Sequence, residues 1–232
     1  MYIYLYLNIF TILFPFLLSF DKKVAFYKNW GALFPAILVN AAFFIAWDIL
    51  FTETGVWGFN PDYLTGIYLY NLPLEEVFFF ITVPYACVFI YDVLNAYITR
   101  DLLEPYTKAI AVLILLTLPF IAIFNIEKIY TSVTFSLLAI MHLVHIRFFK
   151  MQVLSRFYLA YAVHLVPFLI VNGVLTYLPI VWYNNDYNLN RRIGTIPVED
   201  TMYSMLMLLL TISVYEGLRQ HKKVKQYKPL AV

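Results

Sequence analysis

Seven stretches of this chain, at 2–20, 33–51, 74–97, 107–126, 130–147, 157–178 and 201–218, are apolar over roughly the twenty residues that cross a bilayer. Inside lipid every backbone N–H and C=O needs a partner from the chain itself, so stretches of this length fold as helices. The fold expected is all-α: a polytopic membrane helix bundle of about seven transmembrane helices, forming a single membrane domain over 1–232. Composition agrees, with 62% hydrophobic and 13% charged residues, where a soluble domain carries about 25% charged ones. The fifth stretch is the weakest, because it holds His142 and His145. The first is followed by Asp21-Lys22-Lys23 and lacks both a basic leader and a small-residue cleavage site, so it reads as an anchor rather than a removable signal.

Basic residues orient the bundle. All Lys and Arg except Lys128, Arg191 and Arg192 lie in 21–32, 95–108, 147–156 or the basic tail 219–232. By the positive-inside rule the N-terminus is outside and the C-terminus is cytoplasmic, in a multi-pass protein of the cell membrane. The lone Cys87 sits in an apolar run, which excludes intrachain disulfides and leaves a thiol mechanism without support.

Two segments 124 residues apart say the same thing. Leu72-Pro73-Leu74-Glu75-Glu76 opens an apolar run ending in Tyr91-Asp92, and Ile196-Pro197-Val198-Glu199-Asp200 opens another ending in Tyr215-Glu216. The same offset sets Asn172 opposite Asp48, His164 opposite Asn40, and Asn184 opposite Asn60. Two parallel three-helix repeats are expected, at about 1–98 and about 130–220, joined by a linker helix at about 107–126. Because one helix intervenes, both repeats have the same orientation and are related by an axis along the membrane normal.

This layout places Asp48, Glu75, Glu76, Asn172, Glu199 and Asp200 at one level near the outer side. Adjacent helical positions point about 100° apart, so only one member of each acidic pair faces a given seam. Proline followed by acids is also an ordinary helix start, favoured by the macrodipole. The duplication, with Asp48 at the same depth, favours a functional site, since carboxylates in a membrane are costly without a purpose. Asp92 and Glu216 lie about 24 Å deeper and read as interfacial anchors or partners of Lys and Arg. His142, His145 and His164 read as hydrogen-bonded bundle residues, so no metal site is expected.

Phe78-Phe79-Phe80 follow the first motif and Trp47 abuts Asp48. Ring faces stabilise positive charge, and acids beside them suit carbocation chemistry or cation binding. Scattered glycines cannot build a dinucleotide or phosphate cradle, and no H-E-x-x-H or diphosphate motif occurs. The seventh apolar stretch has no Lys for a retinal Schiff base.

The run from Asn71 to Tyr85, Asn-Leu-Pro-Leu-Glu-Glu-Val-Phe-Phe-Phe-Ile-Thr-Val-Pro-Tyr, closely resembles the membrane-integral lycopene cyclases, the carotenoid cyclases without a flavin fold. The second copy, Pro-Val-Glu-Asp, is looser. The resemblance implies a lycopene β-cyclase, an intramolecular lyase or isomerase. Such an enzyme starts by protonating a ψ-end of lycopene and yields β-carotene or monocyclic γ-carotene without net redox change. Desolvation and a neighbouring like charge both favour a protonated carboxyl, the form a general acid needs. The candidate catalytic residues are Asp48, Glu75, Glu76, Glu199 and Asp200. Glu75 or Glu76 is the expected donor, because the first motif matches the family more closely. Glu199 and Asp200 would support that proton or take the ring proton back. Candidate substrate contacts are Trp47, Phe78, Phe79, His164 and Asn172. The expected partners are lycopene or a related ψ-ended carotenoid and membrane lipid, with no nucleic acid and no cofactor. The alternative is a small parallel-repeat membrane transporter whose carboxylates couple protons.

Overall fold

The structure is a computed structural model that describes residues 2–226, with side chains to His221; the end of the basic tail, 227–232, lies outside the described residues. Among the described residues seven helices carry the fold: α1 (Ile3–Leu18), α2 (Trp30–Glu53), α3 (Leu74–Tyr97), α4 (Glu104–Phe124), α5 (Ile129–Phe148), α6 (Met151–Tyr177) and α7 (Val198–Gln226). Six of them, α2 to α7, are long and apolar enough to cross a membrane. α1 has 16 residues, which at 1.5 Å per residue gives about 24 Å, short of the roughly 30 Å hydrocarbon core.

Short strands gather at the end of the bundle where α3 and α7 begin. They are β1 (Trp57–Phe59), β2 (Tyr68–Leu69), β3 (Leu72–Pro73), β4 (Val181–Tyr183), β5 (Arg192–Ile193) and β6 (Ile196–Pro197). β2 with β3 and β5 with β6 form two tight hairpins. Their turns need a left-handed residue at corresponding places, Tyr70 at φ 59° and Gly194 at φ 62°. β1 pairs antiparallel with β4, with Gly58 opposite Trp182. These two residues are themselves 124 apart in sequence, so the relation between the halves passes through this pair. A Cβ on Gly58 would collide with the Trp182 ring, and only glycine permits so close an approach. The flanking bonds obey the same offset: Asn60 N–H donates to Ile180 O and Asn184 N–H to Val56 O, both at 2.9 Å.

Helix packing follows the offset as well. α1 packs on α3 as α5 packs on α7, and α2 lies between α3 and α7 as α6 lies between α7 and α3. Among the described residues the larger of two cores runs through α2 to α7, and a smaller one gathers Tyr4, Leu64, Leu175, Ile180 and Val181. α4 is peripheral, packing on α5 and α6. Its outer face, with Leu113, Leu116, Phe120 and Ile123, is exposed in the molecule, as a lipid-facing surface should be. At the opposite end of the bundle Asp92 accepts hydrogen bonds from Asn29 at 2.8 Å and Tyr215 at 2.6 Å. Arg219 bridges Asp92 and Glu216 at 3.1 and 3.0 Å.

Candidate active site

Each hairpin delivers the chain into a helix through a proline: Pro73 caps α3 in an extended conformation, and Pro197 immediately precedes α7. The first turn then carries two consecutive acids, which diverge. Glu75 turns back to the loop, where Oε1 accepts the Thr65 N–H at 2.6 Å. Glu199 does the same with the Leu189 N–H at 2.7 Å and also accepts from Thr131 at 2.6 Å. Thr65 and Leu189 are again 124 apart. Both acids are buried, and their hydrogen bonds pin the loops that lead into α3 and α7.

Glu76 and Asp200 turn the other way. With Asp48 near the end of α2 and Asn172 near the end of α6, they line a cavity of about 50 Å³ across the junction of the two halves. Glu76 accepts from the Tyr4 hydroxyl of α1, and Asp48 Oδ1 accepts from the Trp57 indole of β1. Asp48 Oδ2 is buried without a partner. Asp200 is better supplied: Oδ1 accepts from Tyr130 at 2.7 Å, and Oδ2 accepts from Asn172 at 2.7 Å and Tyr183 at 2.8 Å. Glu76 lies within electrostatic reach of both Asp48 and Asp200. Burial, and then the charge of Asp200, pushes the Tyr183 phenol well above its usual range, which keeps it a hydrogen-bond donor at ordinary pH.

The remaining wall is aromatic. Trp57, Phe79, Tyr130, Tyr183 and Tyr203 border the cavity. Trp57 meets Tyr130 edge-on at 5.1 Å between centroids, and Tyr130 stacks on Tyr183 at 6.1 Å. Such a box presents ring faces and phenol oxygens to whatever carries positive charge inside it.

Among the residues expected at the site, Asp48, Glu76, Phe79, Asn172 and Asp200 meet at this cavity. Glu75 and Glu199 do not, because the 100° step of the helix turns them to the loops. Trp47 is buried one layer out, against Phe44 and Tyr203 at 5.7 and 5.0 Å. Phe78 lies on the outer face of α3, 37% exposed, and does not line the cavity. His164 lies deeper, with Nδ1 2.9 Å from Cys87 Sγ and Nε2 3.1 Å from Ser204 Oγ. It lines a second cavity of about 210 Å³, which shares Phe79, Phe168 and Asn172 with the first. Reading the sequence missed Tyr4, Trp57, Tyr130, Tyr183 and Tyr203. The offset of 124 offered a signal for two of them, since Phe59 answers Tyr183 and Phe79 answers Tyr203.

His142 and His145 are buried within the bundle, their Nδ1 atoms 2.8 Å from Leu138 O and 2.7 Å from Ser213 Oγ. Among the described residues no three His, Cys, Asp or Glu side chains are grouped so as to hold a metal ion.

The chain has relatives. A protein of Colletotrichum graminicola named bifunctional lycopene cyclase/phytoene synthase is 43% identical over 51 residues, 22% of this chain and 9% of that protein. Proteins of the same name from Aspergillus oryzae and Arthroderma gypseum are 29% identical over 70 residues and 39% identical over 51. These alignments cover 30% and 22% of this chain, and 12% and 9% of the relatives. The chain therefore spans only a small part of the length of the curated relatives it matches. No solved structure matches. The sequence model of the family described as Lycopene cyclase matches residues 1–94 and 127–218. Those segments hold both acidic turns, Asp48, Asn172 and every aromatic residue of the cavity wall, so the chain belongs to the lycopene cyclase family.

Proposed function

We propose that this chain is a carotenoid cyclase that closes β-ionone rings on the linear ends of lycopene, an isomerisation with no net redox change. Family membership supports the reading, and one observation carries it: three carboxyl groups converge on a buried cavity walled by aromatic rings.

Glu76 is the proton donor in this scheme. It gives its proton to the terminal double bond of the ψ-end, leaving a tertiary cation. The next double bond of the same chain attacks that carbon, closing a six-membered ring and moving the positive charge onto a ring carbon. Loss of a ring proton to a carboxylate of the cavity completes the β-ionone ring, so one proton enters and one leaves. Asp200, held by three donors, acts as a fixed counter-charge to the cation, where a preorganised charge is worth most. Asp48 is within reach of Glu76 and takes the returning proton. The faces of Trp57, Phe79 and Tyr203 stabilise the cation while the wall excludes the water that would quench it. Glu75 and Glu199 serve by fixing the loops. Since no electron is transferred, the scheme needs no redox cofactor.

In this reading the carboxylate end of the bundle faces the non-cytoplasmic side of the cell membrane, with the N-terminus outside and the C-terminus cytoplasmic, which the placement of the basic residues supports. The test of function is expression in cells that accumulate lycopene, followed by chromatographic analysis of the pigment. Monocyclic or bicyclic product is expected. Unchanged lycopene in cells that contain the folded protein would remove the proposal.

A further inference from the structure

The second cavity lies between α1, α3 and α6, and its lining differs in kind from the carboxylate cavity. Phe10, Phe14, Val83, Ala86, Ile90 and Val171 make most of it apolar. Its volume, about 210 Å³, is several times that of the polar cavity, and the two adjoin at the wall residues they share, Phe79, Phe168 and Asn172. Phe10 and Phe14 are 58% and 55% exposed, so its outer wall faces the surroundings of the bundle. A mostly apolar groove that faces the side of the bundle and adjoins the carboxylate cavity suits a long apolar molecule with a reactive tip.

We propose that this groove seats the conjugated shaft of one linear polyene of the carotenoid class, with its end in the carboxylate cavity; this rests on the cyclase reading above. A conjugated shaft is already straight and rigid, so docking freezes few bonds, whereas a saturated acyl chain must give up rotamers along its whole length. The rings of Phe10, Phe14, Phe79 and Phe168 offer the flat surfaces on which such a shaft lies.

The offset of 124 sets this groove against a second seam with a different lining. The corresponding seam lies between α5, α7 and α2. There Val83 is answered by Met207, Ala86 by Leu210 and Val171 by Trp47. Phe44, the counterpart of Phe168, is fully buried and packs against Trp47 and Tyr203. At Met207, Leu210 and Trp47 the second seam carries the bulkier side chain, whereas Phe10 and Phe14 are answered by the smaller Thr134 and Leu138. One groove presents one end of a polyene to the carboxyl groups per binding event, and a molecule with two linear ends that uses this groove must leave and return reversed to react twice.

The experiment measures lycopene binding to protein in lipid nanodiscs through the induced circular dichroism of the polyene. It is done in the Glu76→Gln background so that no turnover intervenes. Ala86→Phe fills the groove and is expected to weaken binding about tenfold or more. Phe14→Ala removes one exposed wall and is expected to weaken it by about threefold. Ile140→Phe, on an exposed face of α5, is the control and leaves binding unchanged. Affinity within twofold of the parent for folded Ala86→Phe overturns the proposal, and it is also the result a groove occupied by an acyl chain would give. If Ala86→Phe does not fold, Phe14→Ala decides, and unchanged affinity there overturns it equally. The unsubstituted chain is assayed for cyclisation in parallel. Binding lost in the groove variants with no cyclisation by the unsubstituted chain supports the groove and removes the cyclase reading instead.

Discussion

The two acidic turns, at Glu75-Glu76 and Glu199-Asp200, share a backbone but not an environment. In both, a hairpin and a proline lead into the helix, the first acid pins a loop N–H, and the second enters the cavity. Around the second acid the turns part. Asp200 accepts three hydrogen bonds, from Tyr130, Asn172 and Tyr183. Glu76 accepts one, from Tyr4. Two positions make most of the difference: Asn172 stands where the other half has Asp48, and Tyr183 where it has Phe59. The symmetric backbone brings two carboxyl groups to one place, and a few substitutions then give them different surroundings. Unequal surroundings favour one assignment of donor and counter-charge over the other.

The widest break in the comparison comes from removing each acid in turn. Glu76→Gln keeps size and hydrogen bonding but cannot donate the proton, and cyclisation is expected to fall by about 10²–10⁴. Asp200→Asn is expected to retain more activity than Glu76→Gln when pigments are quantified against protein level. The reverse order would move the proton donor to the second turn. Asp92→Asn, at the far end of the bundle, serves as the control and keeps substantial activity.

A smaller change sharpens the same contrast. Tyr183→Phe makes position 183 identical to its counterpart Phe59 and leaves Asp200 with two donors. A hydrogen bond to a charged group is worth about 1.5–3 kcal/mol. If Asp200 holds the cation, the turnover rate drops by roughly ten- to a hundredfold, while lycopene binding in the groove, read by circular dichroism, stays at the parent value. Unchanged turnover would show that the third donor is irrelevant to the charge on Asp200.

The smallest effects fall on the loop-facing acids. Glu199 holds two partners, Thr131 and Leu189, where Glu75 holds Thr65. Each replacement by Gln is expected to cost about 1 kcal/mol of stability, with Glu199→Gln the more damaging. That corresponds to a shift in thermal midpoint of about 2–4 °C for a chain of this length, measured in detergent, with little change in activity per folded molecule. A larger loss of catalysis than of stability at Glu75 would return the first acid to the reacting group.

Much of the architecture was legible because membrane physics leaves a strong trace. Low charge and long apolar runs meant helices, and α2 to α5 begin and end close to the stretches read from the sequence, while α6 starts earlier, at Met151, and α7 runs on to Gln226. The repeated Pro-x-Glu-acid turn pointed to Asp48, Glu76, Asn172 and Asp200, which meet in one cavity. Which acid of each pair turns inward was not legible. In a soluble helix an apolar stripe marks the inner face, but α3 and α7 are apolar toward lipid and core alike, so no stripe singles out Glu76 over Glu75 or sends Phe79 rather than Phe78 to the cavity.

By itself, then, the sequence determined a helical membrane bundle, the offset of 124 between its halves, and the level at which the acids gather, because backbone satisfaction in lipid and helix length depend only on local composition. The tertiary structure alone decided that Tyr4, Tyr130, Tyr183 and Trp57 hold the carboxyl groups, since those donors come from α1, α5, β4 and β1 and approach α2, α3 and α7 only once the elements of each half pack together. It also decided that α1, α3 and α6 leave a groove between them. An open groove is a volume left over between helices, and no single helix carries a record of it.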